Sequence, residues 1–290
     1  MNPALGRTPA HRIEVRLAGG LRLPGRVWPC ESPRALVAVV HGLGEHSGRY
    51  AALASDLVQR RFTVAALDLP GHGEAPCARG DVPSWTLLRE QAVPATFTVA
   101  RGVPGQPETL PVVLLGHSMG GVLALDYALA HPQRLIAVVA SAPALRTTMP
   151  PWWKLTLANV ARVTAPAAGF PSGLDESGIS RDPEVLKLRA QDPLVHDRIT
   201  PRLYFDFNDA CQRVLRDARR LQIPALVLQG SADRVVDPRG ATEFAAAAPA
   251  GLARLVLCPD AYHEVFNDLG RAQVVQDVAA WLEGLPILPR

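Results

Sequence analysis

Six runs of apolar residues, almost unbroken by polar ones, punctuate the chain: ALVAVV (35–40), FTVAALDL (62–69), PVVLLG (111–116), LIAVVAS (135–141), PALVLQG (224–230) and ARLVLC (253–258). A strand with one wet face alternates apolar and polar residues, whereas a strand buried on both faces does not, and these runs fit the second pattern. Segments with helical spacing, 49–60, 84–101, 119–131, 239–248 and 270–284, separate and follow them. The β-α-β-α order predicts crossover connections and a doubly wound, mostly parallel sheet. Two further extended runs, HRIEVRL (11–17) and LRLPGRVW (21–28), flank Gly19-Gly20 and predict an antiparallel hairpin at the sheet edge, for eight strands in all. Pro94 falls inside the second helical segment and is expected to kink or split it.

The alternation stops at Pro143 and resumes only near Ile223, leaving a stretch with helical patterns but no core strand. This predicts a core made of 1–142 and 221–290, with 143–220 inserted as a helical cap. Within it, PPWWKLTLANVARV (150–163) opens on prolines suited to a first helical turn and places Trp153, Leu157, Val160 and Val163 near one side. That side either lids a binding site, with Trp152, Trp153 and Leu157 touching substrate, or packs on the main domain.

Composition narrows the function by exclusion. A chain of 290 residues buries roughly three quarters of its unfolded surface, so its core needs no disulfide or metal. The 30 Lys and Arg are spread along the chain and the net charge is only +3, which makes no electrostatic case for nucleic acid. Cys30, Cys77, Cys211 and Cys258 have neither C-x-x-C nor regular spacing, so reduced structural thiols are expected. The first residues lack the apolar stretch of a secretory signal, and no apolar run approaches the roughly 18 residues of a membrane span. The expectation is a soluble cytoplasmic protein.

The chemistry starts at VLLGHSMGG (113–121), an apolar strand running into G-x-S-x-G and then into a helical pattern. In that context the two glycines allow a sharp strand-to-helix turn that exposes the Ser118 hydroxyl at the carboxyl end of the sheet. A Ser that merely capped the helix would not require glycine on both sides. A serine hydroxyl needs a base, and His11, His41, His46, His72, His117, His131, His196 and His263 compete for that role. With this strand-turn-helix motif, acid and histidine follow the serine in chain order, the histidine on the loop after the last strand. His263 in PDAYHEVFND occupies that place, while His131 before Pro132 reads as a helix end. For the acid, GSADRVVD (230–237) offers Asp233 and Asp237; Asp233 is nearer the strand end and is preferred, with Asp260 a third candidate. An oxyanion needs two donors. Met119 supplies one backbone N–H, and the HGLGEHSGRY loop (41–50) supplies the other from Leu43, its flanking Gly42 and Gly44 permitting the turn. No metal or dinucleotide motif is present, and the chemistry calls for no cofactor.

Standing together, HGLGEHSGRY, GHSMGG, the aspartate of GSADRVVD and YHEVFND make the sequence similar to the monoacylglycerol lipase and lysophospholipase group of α/β-hydrolases. The likeness extends to DLPGHGEA (68–75), where the group usually has Arg in place of Pro70, and to SRDPEV (180–185) and DPLVHDRIT (192–200). It implies the α/β-hydrolase fold with a cap that admits an acyl chain, Leu43 and Met119 as the oxyanion pair, and small single-chain lipid esters such as monoacylglycerols as substrates. A transient contact between cap and membrane surface is compatible with it, and the oligomeric state is left open. General carboxylesterases, lysophospholipases and aminopeptidases share the mechanism, and an acyl-chain series beside an aminoacyl-anilide panel separates them. A non-catalytic ligand-binding protein on this scaffold would usually lack part of the triad, and here all three residues are present.

Overall fold

The computed structural model describes residues 8–107, 109–146 and 152–285, apart from the side chains of 152–155. In chain order the main elements are β1 (His11–Arg16), β2 (Arg22–Trp28), β3 (Ala35–Val40), α1 (Ala51–Val58), β4 (Phe62–Leu67), α2 (Trp85–Leu87), α3 (Val93–Arg101), β5 (Val112–His117) and α4 (Met119–Ala130). There follow β6 (Ala137–Ser141), α5 (Trp152–Thr164), β7 (Phe170–Pro171), α6 (Pro183–Gln191), β8 (Arg198–Ile199), α7 (Pro201–Asp217), β9 (Ala225–Gly230), α8 (Arg239–Ala247), β10 (Ala253–Cys258) and α9 (Arg271–Glu283). Eight strands form one sheet in the order β1-β2-β4-β3-β5-β6-β9-β10, antiparallel through β1, β2 and β4 and parallel from β4 to β10.

The uninterrupted apolar runs have a direct cause. Successive side chains of β3 point to opposite faces, and both faces are covered. Leu36, Ala38 and Val40 join the layer built from α3, α4, α7 and α8, whereas Ala35, Val37 and Val39 join the layer of α1 and α9. Neither face meets water, so neither position tolerates a polar residue. At the far edge, β10 is only partly covered and Leu257 is 53% exposed.

Around Pro94 the helix does split. Between α2 and α3 the chain makes a wide π-helical turn, Leu88–Ala92, and the Val93 N–H reaches back five residues to the Leu88 carbonyl. Proline has no N–H for the ordinary ladder, and the wide turn absorbs the defect next to it.

The chain leaves the sheet after Ser141 and re-enters it at Ala225. The intervening elements attach unequally. α7, whose N-terminal Thr200 hydroxyl accepts from the Leu203 N–H, buries Leu203, Phe207, Ala210, Cys211 and Val214 in the same layer as α4. Asp126 of α4 clamps it: the carboxylate accepts two bonds from Arg213 at 2.8 Å each and one from the Trp85 indole at 2.8 Å. α5 lies at the other extreme. Leu157, Val160 and Val163 are 58%, 56% and 83% exposed, so this apolar side does not pack on the main domain. The side chains of Trp152 and Trp153, and residues 150 and 151 of the expected helix, lie outside the described residues. Among the described residues no helix is long and apolar enough to cross a membrane.

Candidate active site

Ser118 sits between the end of β5 and the start of α4 with φ +54° and ψ −118°, a backbone conformation that L-residues rarely adopt. Its neighbours explain how the turn is held. The Ser118 N–H donates to the Ser141 carbonyl at 2.9 Å, and the Ser118 carbonyl accepts from the Ala144 N–H at 3.2 Å. A side chain at Gly116 would collide with the Gly120 carbonyl, and one at Gly120 with the carbonyls of Val40 and His41. Both glycines are therefore demanded by close backbone packing beneath the serine. Met119 opens α4, so its N–H lies in the first turn, where helix N–H groups have no intrahelical acceptor.

The loop after β3 runs alongside. A Cβ on Gly42 would lie 3.2 Å from the Ser118 Cβ, and Gly44 turns the chain at φ +74° while its carbonyl accepts from the His196 N–H at 2.9 Å. The Gly42 N–H donates to Glu45 Oε1, which also accepts from the Tyr50 hydroxyl at 2.8 Å. Leu43, between the two glycines, borders the same small cavity as Ser118.

His263 is 4% exposed and its Nδ1 donates to Asp233 Oδ2 at 2.8 Å. Asp233 Oδ1 accepts from the N–H groups of Val235 (2.8 Å) and Val236 (3.0 Å), and Oδ2 also accepts from Gln229 Nε2 at 2.9 Å. Burial alone would raise this carboxyl, but the His263 contact and the two backbone N–H groups outweigh it and hold Asp233 below the ordinary carboxylate range. Of the competing acids, Asp237 binds Arg239 with both oxygens, whereas the His263 ring is bonded to Asp233 and not to Asp260. The loop carrying His263 is itself seated on the segment between β7 and α6, through His263 N–H to Gly178 O at 3.3 Å and Glu264 N–H to Ile179 O at 2.9 Å.

Ser118 and His263 line one cavity of about 20 Å³. Its lining is mixed, apolar from Leu43, Leu174, Ile179 and Val235 and polar from Glu45, His117, Arg189 and Glu264. Leu157 is not brought to it. Arg49 is the hidden member of the polar set: it donates to Glu45 Oε2 at 3.0 Å and forks onto Glu264 at 2.6 and 2.8 Å. Burial pushes both glutamates up, and the Arg49 guanidinium more than reverses this, so both stay ionised below the usual carboxylate range. The His117 ring lies 4.8 Å from that of His263; burial, with His263 beside it, pushes it down to about 4, so it is neutral near pH 7. A larger open groove of about 400 Å³ lies between Arg146 and α8. Among the described residues lining it, the one hydroxyl, Thr242, donates to the Pro238 carbonyl, and Arg146 and Arg239 are paired with Glu243 and Asp237, so no nucleophile–base pair is assembled there.

The polar network was not anticipated from the sequence. Glu45 and Arg49 lie within HGLGEHSGRY and Glu264 directly follows His263, so they stood inside motifs already singled out for other reasons. Val235 likewise stood inside GSADRVVD, whereas Leu174, Ile179 and Arg189 carried no signal, because loop residues have no periodicity and one arginine in a helix looks like a solvated one.

An eight-stranded, mostly parallel sheet with helices on both faces, and a serine on a strained strand-to-helix turn facing a histidine-aspartate pair across one cavity, define an α/β-hydrolase. The chain belongs to the serine aminopeptidase S33 family of hydrolases, whose model matches residues 31–270, and within it to the monoacylglycerol lipase and lysophospholipase group. It is 33% identical over 270 residues to the monoacylglycerol lipase of Mycolicibacterium smegmatis, covering 91% of this chain and 94% of that protein. It is 32% identical to human monoglyceride lipase, over 91% of this chain and 88% of the human one. The crystal structure of Paleococcus ferrophilus monoacylglycerol lipase superposes with a TM-score of 0.79 at 31% identity, covering 94% of this chain and 98% of the other. The protein is accordingly a carboxylic ester hydrolase.

Proposed function

We propose that the protein hydrolyses the ester bond of monoacyl lipids, foremost monoacylglycerols to glycerol and fatty acid, through an acyl-enzyme on Ser118. The observation that carries this reading is the 2.8 Å bond from His263 Nδ1 to Asp233, with His263 and Ser118 on one cavity. Asp233 fixes the ring so that Nε2 is the free nitrogen, and Nε2 takes the Ser118 proton as Oγ attacks the ester carbonyl. The oxyanion that forms is held by the N–H groups of Leu43 and Met119, each worth about 2.7–4 kcal/mol of transition-state stabilisation. His263 then hands the proton to the departing alkoxide, releasing the alcohol. Water, activated by the same nitrogen, attacks the acyl-enzyme and releases the acid.

The cavity's mixed lining supports the substrate class. Leu174, Ile179 and Val235 suit an acyl chain, while Glu45, Glu264 and Arg189 offer acceptors and donors to a hydroxylated leaving group. A volume of about 20 Å³ holds roughly one water, so the fold as described is a closed form, and segment 143–220 acts as a cap that must shift to admit lipid. α7 is its anchored root, and the apolar stripe of α5 is its exposed part.

One observation favours a second reading. The Arg189 side chain is buried beside the cavity, its Nη1 no nearer than 3.9 Å to Glu264, and its Nε has no partner among the described residues. A guanidinium in that state suits an anionic leaving group, as in a lysophospholipid. Turnover of monoacylglycerols from short to long chain, beside lysophosphatidate, a diacylglycerol and p-nitrophenyl esters, with Ser118→Ala as control, tests both. Preference for medium or long monoacylglycerols supports the first reading and preference for lysophosphatidate the second. Activity confined to short activated esters refutes both.

A further inference from the structure

β9 is apolar from Ala225 to Leu228 and then places an amide, Gln229, in full burial. Burying a primary amide there costs more than burying leucine unless its donors find acceptors. Nε2 donates to Asp233 Oδ2 at 2.9 Å and lies 3.4 Å from the Gly230 carbonyl, whereas Oε1 meets no donor among the described residues. The amide is thus turned nitrogen-first toward the same oxygen that accepts His263 Nδ1.

We propose that Gln229 is a positioning residue of the hydrolytic site, its amide N–H locking the Asp233 carboxylate so that Oδ2 stays directed at His263 through the catalytic cycle. The proposal rests on the reading of Ser118, His263 and Asp233 as the triad. A carboxylate turns easily about its terminal torsion. Val235 and Val236 N–H groups hold only Oδ1, and the His263 bond strengthens and weakens as the ring gains and loses its proton. Gln229 supplies a neutral anchor on Oδ2 that does not vary with that proton. It also takes up part of the charge on Oδ2, which tempers the pull on the imidazolium. The other charged or titratable groups facing His263 are His117 from the end of β5, Glu45 and Arg49 from the loop after β3 and the turn that follows it, Glu264 from its own loop and Arg189 from α6. Gln229 hydrogen-bonds none of them, so its replacement reaches His263 through Asp233.

The test is kcat and KM against pH on a soluble p-nitrophenyl ester for wild type, Gln229→Leu, Gln229→Glu and Asp233→Ala. Gln229→Leu is expected to lower kcat about tenfold, with KM within about threefold, and to move the acid limb of kcat/KM up by about half a pH unit. In Gln229→Glu the new carboxyl lies beside ionised Asp233 and keeps its proton, so it still donates. That variant should work nearly as wild type at low pH and fall off as the carboxyl ionises, giving an alkaline limb that a merely structural glutamine would not produce. Gln229→Leu with wild-type kcat and acid limb overturns the proposal; so does Gln229→Glu without the alkaline fall-off, which decides the matter if the leucine variant does not fold. If Asp233→Ala retains wild-type kcat, the triad reading itself fails. If Asp233→Ala collapses while the Gln229 variants match wild type, only the role of Gln229 falls.

Discussion

Arg49 and Glu264, 215 positions apart in the chain, are joined by a two-pronged ion pair, Nη1 to Oε1 at 2.6 Å and Nη2 to Oε2 at 2.8 Å. Because Arg49 also holds Glu45, and Glu45 accepts from the Gly42 N–H, one guanidinium ties the loop bearing Leu43 to the loop bearing His263. The two halves of the candidate active site are therefore braced against each other beneath the cavity.

Arg49→Met is expected to cost about 3–5 kcal/mol of stability, since it leaves two carboxylates buried without their cation. Chemical denaturation at pH 7 measures this. The pH dependence has a definite sign. Glu264 has a lowered carboxyl in the folded chain, so its contribution is fully present above the unfolded value of about 4.3 and is lost as pH falls below it. The variant should lose that part of the wild type's acid destabilisation. An Arg49→Met protein as stable as wild type would show that the bridge carries no weight.

Ser118→Ala should lower turnover by about 10⁴-fold or more with folding intact, as loss of a triad nucleophile does. Ser118→Gly should be equally inactive yet more stable by about 1 kcal/mol, because glycine adopts φ +54° and ψ −118° without the steric cost serine bears. Thermal melts of the two inactive variants side by side decide the point. Equal melting temperatures would mean the turn stores no strain.

Gly120→Ala tests the packing under the nucleophile. Its methyl would meet the Val40 and His41 carbonyls, both backbone and unable to swing aside. A destabilisation of about 3 kcal/mol is expected, with loss of activity because Ser118 shifts with the turn. Gly173→Pro or Ala is a poor control, being strained by its own positive φ, whereas Gly270→Ala meets nothing within 4 Å and should be near neutral.

Much of the fold was legible because the signals were local. Runs such as ALVAVV report burial on both faces by themselves, and G-x-S-x-G between a strand and a helix reports its own turn. Asp233, preferred over Asp237 for its nearness to the strand end, does face His263. The Glu45–Arg49–Glu264 bridge was not legible, since a pair separated by 215 positions leaves no periodic trace. Nor was the uneven attachment of residues 143–220: the sequence offered helical patterns there, but not that α7 would pack on α4 and be clamped by Arg213–Asp126 across 87 positions while the apolar side of α5 stays exposed. The expectation that Leu157 would touch substrate came from helical spacing alone, which says that a stripe exists and not what covers it.

Acid should weaken the fold well before its carboxylates titrate. His41, His72 and His117 are buried and, through that burial, take up protons less readily than a free imidazole; burial also pushes His196 down to about 4, outweighing the opposite pull of the Gly71 carbonyl. The unfolded chain protonates each ring near its ordinary value of about 6.5, the folded chain only at lower pH. Stability from neutral burial is therefore complete above about pH 6.5 and declines as pH falls toward about 4. For His117 alone the gap corresponds to roughly 3 kcal/mol at the acid end. The melting temperature of wild type should accordingly fall between pH 7 and 4.5, and that of His117→Gln, which cannot take up a proton, should fall less steeply. Identical slopes for the two proteins would mean that His117 already shares its charge state with the unfolded chain, and the neutral packing of its ring against His263 would have to be abandoned.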